Sequence, residues 1–130
     1  TTALNKVTVA EDVVVYRGMG TQRSVARLFG LTESQLSDVI RTDITQLIGT
    51  RVEEKGFTST AVTFGSAWSG CKLDIYIPSG SHAMYVDPIS MHSGELEMLL
   101  QRNSIFEVQN IEVNYGEITK MVLILVDQVI

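Results

Sequence analysis

Apolar residues along this chain follow two different periods. In VTVAEDVVVYRGMG (Val7–Gly20), the β-branched run Val13–Val15 leads into Tyr16-Arg17-Gly18, which predicts a strand ending in a glycine turn. A helical stretch follows. In LTESQLSDVI, Thr32 stands three residues before Gln35, the spacing of a capping box. Leu36, Val39 and Ile40 then recur at helical intervals, and Ile44, Leu47 and Ile48 continue the pattern, so the spacing predicts a helical region that closes at Gly56.

From Phe57 onward the period is two. FTSTA is short and polar-faced. KLDIYIPSGS alternates Leu73, Ile75 and Ile77 against Asp74 and Tyr76, then turns at Pro78-Ser79-Gly80. HAMYV (His82–Val86), GELEMLL and SIFEVQNIEV (Ser104–Val113) read as further strands. The last run, ITKMVLILV, is apolar on both faces, as a central strand requires. About one helical half and six strands, with no repeat and no linker, give an α+β domain: helices early, an antiparallel-rich sheet late.

Composition narrows the classes. The 130 residues suffice for one domain with one core, and 45% hydrophobic against 19% charged content excludes a disordered chain. A net charge of -5 without a basic run lacks the phosphate-neutralising surface that nucleic-acid binding needs, so no nucleic-acid partner is expected. The longest apolar run, Met121–Val126, is too short to cross a bilayer, and no membrane partner is expected. The lone Cys71 forms no intrachain disulfide and reads as a small apolar residue. No metal site is expected. The chain begins Thr-Thr, as an excised domain or a processed product would.

One stretch resists a purely structural reading. In GELEMLL, Glu95 and Glu97 open a hydrophobic strand, and residues two apart point to the same face. Two carboxylates therefore stand side by side on a segment built for burial. Arg17-Gly18 read alone is a surface turn, and Ser59-Thr60 read alone decorates a strand edge. In this order, however, VYRG, GFTSTA and GELEMLLQRNSIFEV resemble the three signature blocks of mono-ADP-ribosyltransferase toxins of the Arg–Ser–Glu class, which include the binary actin-modifying toxins and the Rho-modifying exoenzymes. The blocks run from Tyr16 to Val108. The match is specific because an aromatic-Arg-Gly, a Phe-x-Ser-Thr and a Glu-x-Glu-plus-Leu-Leu must coincide.

The resemblance implies an ADP-ribosyltransferase fold, two packed, mainly antiparallel sheets with flanking helices around an NAD cleft, and a single catalytic domain over residues 1–130. It implies NAD as substrate, a target protein as acceptor, and secretion or delivery into a host cell. By resemblance, Glu97 stabilises the oxocarbenium-like ribose as nicotinamide leaves, Ser59 fixes Glu97, Arg17 pairs with the pyrophosphate and Gly18 lies near the nicotinamide amide. Thr60 is a cofactor-binding position. Glu95 answers the oddity: in this family glutamate there goes with arginine acceptors and glutamine with asparagine acceptors. A carboxylate suits a cationic guanidinium that must lose a proton as it bonds.

Several positions depart from the family pattern. The second block ends in Ala61 where Ser-Thr-Ser is usual. The aromatic expected three residues before the first Glu is His92, which is assigned to target recognition. Trp68 and Phe64 are candidates to pack on the nicotinamide; no arginine follows in that segment, and Lys72 is a poor substitute. His82 reads as structural. Only about fifteen residues precede Tyr16, so the helices that cover the cleft in relatives are expected to be short or missing. Two alternatives stay open: an NAD glycohydrolase with water as acceptor, and a non-catalytic interaction module on the same fold, such as part of a phage particle.

Overall fold

The computed structural model describes residues 8–54, 58–61, 70–86 and 97–128. Their architecture is α+β. Eight strands are described: β1 (Val13–Met19), β2 (Arg51–Glu54), β3 (Thr58–Ala61), β4 (Cys71–Ile77), β5 (Ala83–Val86), β6 (Glu97–Leu100), β7 (Ser104–Asn114) and β8 (Glu117–Gln128). Two helices, α1 (Gln22–Leu28) and α2 (Glu33–Thr42), and a 3-10 turn (Ile44–Leu47) lie between β1 and β2. The strand order is β2-β7-β8-β4-β1-β3-β6-β5. Every neighbouring pair is antiparallel except β4 and β8.

The expected central strand is β8, paired on one side with β7 and on the other with β4. Its buried residues Ile118, Met121, Leu123 and Leu125 meet the alternating Leu73, Ile75 and Ile77 of β4 in one core with Val15, Phe106 and Val108. The helices and the 3-10 turn add Val25, Ala26, Leu36 and Leu47 to this core.

Local chemistry starts each helix. Thr21 caps α1 by accepting from Ser24 N–H at 3.1 Å. The predicted capping box is present on α2: Gln35 N–H donates to Thr32 Oγ1 at 3.2 Å, and Thr32 N–H donates to Gln35 Oε1 at 2.9 Å. Gln22 fixes α1 to the sheet, donating Nε2–H to the Ile118 carbonyl and accepting the Ile118 N–H, both at 2.9 Å.

The helical region is shorter than the spacing predicts and does not reach Gly56 as one helix. Helix α2 stops at Thr42, Asp43 caps the 3-10 turn through Thr45 N–H, and Arg51–Glu54 is a strand against Ser104–Glu107. Val52 is buried between exposed Arg51 and Glu53, a period-two pattern that the preceding helical spacing masked. Lys55 to Phe57, including the expected stop at Gly56, lie outside the described residues.

One junction divides the strand order. Among the described residues, β1 meets β3 through a single pair, Tyr16 opposite Ala61. On the β1 side lie five strands with the helices; on the β3 side lie three. At the far end of β1, Gly70 (φ +79°) packs on the Met19-Gly20 turn so closely that a β-carbon there would collide with the Met19 carbonyl oxygen. The approach holds the end of β1 against the start of β4, where Met19 stands opposite Cys71.

Candidate active site

The junction is also where the strand-borne motif residues gather. Across the ladders, Tyr16 stands opposite Ala61, Ala61 opposite Glu97, and Glu97 opposite Val86, one row over four strands. Neighbouring antiparallel strands place opposed Cα atoms about 4.5–5.5 Å apart, so the backbones of Tyr16 and Glu97 are separated by roughly 10 Å. Ser59 stands opposite Leu99, two residues before Ala61 on β3.

Beyond the single pair the two strands part. Among the described residues, Arg17, Gly18 and Met19 pair only with β4, and Thr58, Ser59 and Thr60 pair only with β6. The result is a fork. One limb carries Arg17 and Gly18, the other carries Ser59 and Thr60, and Glu97 sits one strand further on. Two β-edges flank the opening, an arrangement suited to an extended polar ligand.

Thr60 is buried, and its hydroxyl donates to the Met98 carbonyl at 2.8 Å. A hydroxyl committed in this way ties β3 to β6. Side chains alternate along β1, so Arg17 projects to the side opposite Tyr16. Its Nη1 lies 3.8 Å from Glu54 Oε1 on β2. The pair lines a cavity of about 550 Å³ together with Met19, Ser24, Arg27, Leu28 and Glu53. That volume falls within the range of small-molecule sites. Sequence reading missed Glu53, Glu54 and Arg27, because it placed the first two in a helix and gave the third no motif. The alternation of exposed Arg51 and Glu53 about Val52 was the available signal.

The remaining candidates divide simply. Lys72 is engaged beside the fork: its Nζ lies 5.7 Å from the Tyr16 ring centroid and 3.6 Å from Asp74 Oδ1. His82 is knitted into the sheet by its main chain, donating to Gln128 Oε1 at 2.7 Å and accepting from Gln128 Nε2 at 2.7 Å. Burial pushes the Cys71 thiol up to about 12, so it is an inert core group. Glu95, His92, Phe64 and Trp68 lie outside the described residues. Among the described residues, no group of three His, Cys, Asp or Glu side chains is placed to hold a metal ion.

Comparison with known proteins decides the family. The family model described as ADP-ribosyltransferase exoenzyme matches residues 1–129. This chain belongs to the ADP-ribosyltransferase exoenzyme family. Among solved structures, it is similar to C3larvin toxin, an ADP-ribosyltransferase from Paenibacillus larvae, with 30% identity and a TM-score of 0.74 over 95% of this chain and 71% of that one. C3stau2 from S. aureus, solved with NAD, has a TM-score of 0.74 over 98% of this chain and 68% of that one; at 19% identity it shows the shared exoenzyme fold. Among curated proteins, the mono-ADP-ribosyltransferase C3 of Hathewaya limosa is 35% identical over 63 residues, 47% of this chain. The matched stretch spans 25% of that relative's length.

Proposed function

We propose that this exoenzyme-family chain transfers ADP-ribose from NAD to a protein side chain, with arginine as the acceptor. The fork carries the reading: the strands holding Arg17-Gly18, Ser59-Thr60 and Glu97 are adjacent, and the limbs with Arg17-Gly18 and Ser59-Thr60 part at Tyr16 and Ala61.

The chemistry follows from charge. The bond between nicotinamide and ribose C1′ breaks with its electron pair going to the nicotinamide nitrogen, which leaves neutral. Positive charge then develops on the ribose. A fixed carboxylate beside it lowers the barrier, because the interaction strengthens as the charge appears. Glu97 is assigned that role, with Ser59 holding its rotamer and the Thr60–Met98 bond holding the two strands in register. Arg17 presents a planar guanidinium to the pyrophosphate. Gly18 allows close approach of the nicotinamide amide, and Phe64 or Trp68 packs on its ring. The acceptor guanidinium attacks C1′ and loses a proton, which Glu95 accepts. His92 stands three residues before Glu95, on the segment assigned to target recognition.

A labelled-NAD assay tests the reading. The expected result is label entering agmatine or lysate protein, with stoichiometric release of nicotinamide. Free ADP-ribose as the sole product identifies a glycohydrolase. Absence of NAD binding by calorimetry leaves a non-catalytic module. Mass spectrometry of the labelled lysate names target and acceptor residue together.

A further inference from the structure

Arg17 does not stand free in its cavity. Its guanidinium is paired with Glu54 at 3.8 Å, both side chains being about one-third exposed (32% and 29%). The distance exceeds that of a hydrogen bond, so the contact is a screened Coulombic one that is easily exchanged. The cavity is lined by two arginines, Arg17 and Arg27, and two glutamates, Glu53 and Glu54, for a formal balance of zero. A pyrophosphate carries two negative charges. A single arginine already shared with a carboxylate is a weak receptor for it.

Arg27 supplies what is missing. It lies in the last turn of α1 and is exposed. It lines the Arg17 cavity and also a second one of about 500 Å³, shared with Arg23, Gly30 and Thr32. Among the described residues, Arg17, Arg23, Arg41 and Arg51 each have a carboxylate partner, whereas Arg27 has none within ion-pair distance. A cation in the last turn of a helix is favoured by the helix dipole. That accounts for a charge at this position, but not for its opening into the same cavity as Arg17.

We infer that Arg27 is the second cation for the pyrophosphate of NAD, and that Glu54 is a built-in competitor that lowers NAD affinity by holding Arg17 in the free protein. The inference rests on the NAD reading above. On binding, the phosphate oxygens replace the Glu54 carboxylate at Arg17 with shorter, charge-assisted contacts, and Arg27 closes on the same group from α1. Glu54 is thus a positioning residue that acts through Arg17.

Calorimetry with NAD on the wild type, Arg27→Gln, Arg27→Lys and Glu54→Gln, paired with nicotinamide-release kinetics, tests this. Arg27→Gln is expected to weaken NAD binding about tenfold, the size of one charge-assisted hydrogen bond. Arg27→Lys should recover part of that loss. Glu54→Gln should tighten binding a few-fold, lowering KM for NAD while kcat is kept. Nicotinamide alone, used as an inhibitor, lacks phosphate and should inhibit all four proteins equally. Arg27→Gln binding NAD as tightly as the wild type overturns the role of Arg27, and weaker binding by Glu54→Gln overturns the competitor role. A parallel loss of nicotinamide inhibition in Arg27→Gln also overturns the inference, since it places the effect in the fold. A wild type that binds no NAD overturns the NAD reading, and this inference with it.

Discussion

Thr60 donates its hydroxyl to the Met98 carbonyl at 2.8 Å, and through that bond the strand bearing Ser59 is tied to the strand that begins at Glu97. Thr60→Val keeps the shape and the burial and removes the donor. The expected cost is about 1–2 kcal/mol in chemical denaturation. Nicotinamide release should fall by more than the stability loss explains, because the strand register between Ser59 and Glu97 loosens. Unchanged release kinetics in a folded Thr60→Val protein would separate the bond from catalysis.

Glu97→Gln keeps a hydrogen-bonding side chain and removes the charge. Both transfer and NAD hydrolysis need the ribose cation stabilised, so both should fall on the order of a hundredfold or more, as when one electrostatic stabiliser is lost. Nicotinamide release measured with and without agmatine checks both at once. Hydrolysis near the wild-type rate would show that another group stabilises the cation.

Glu95→Gln should divide the two activities. In the sequence it stands two residues before Glu97. The substitution removes the proton acceptor for the guanidinium and leaves Glu97 and Ser59 in place. Arginine labelling is expected to disappear while slow NAD hydrolysis continues. Equal loss of both would mean that the carboxylates act as one unit.

The buried Cys71 predicts an alkaline limit. Its thiol rises from the ordinary 9.0 to about 12 because burial disfavours the thiolate. Between those values the unfolded chain binds fewer protons than the folded one, so stability falls as pH rises from 9.0 to about 12. Below 9.0 the thiol is protonated in both states and contributes no slope. Cys71→Ala should flatten that part of the stability profile relative to the wild type, measured by denaturation at pH 8, 9.5 and 11. Identical slopes would show that the thiolate is not excluded from the core.

Much of the fold was legible because its periods were clean. The capping box at Thr32, the alternation of Leu73, Ile75 and Ile77, and the doubly apolar strand near the end each follow from one local rule, and each is present. The segment at Arg51–Glu54 was misread because it is four residues long and follows a helix whose spacing runs on through Ile48. A single alternation about Val52 was its one local mark, and its identity as a strand is fixed by pairing with β7. The same limit hid the cavity. Arg17 was marked by its motif, but Glu54 and Arg27 meet it only after the chain has folded α1 and β2 around it. Motif residues announce themselves in sequence; the charges that tune them are visible only in space.

The central strand β8 has a consequence for how the molecule comes into being. It is the last of the described strands to leave the ribosome, yet it separates β7 from β4, and its parallel register sets Lys72 against Lys120. Until it arrives, β4 and β7 each have an open edge and the helices have only part of a face to cover. Pairing between such distant segments is slow, and exposed edges in the meantime invite aggregation. The nascent chain must therefore wait unfinished until β8 is released. A chain stopped short of β8 would lose the middle of its sheet rather than an end.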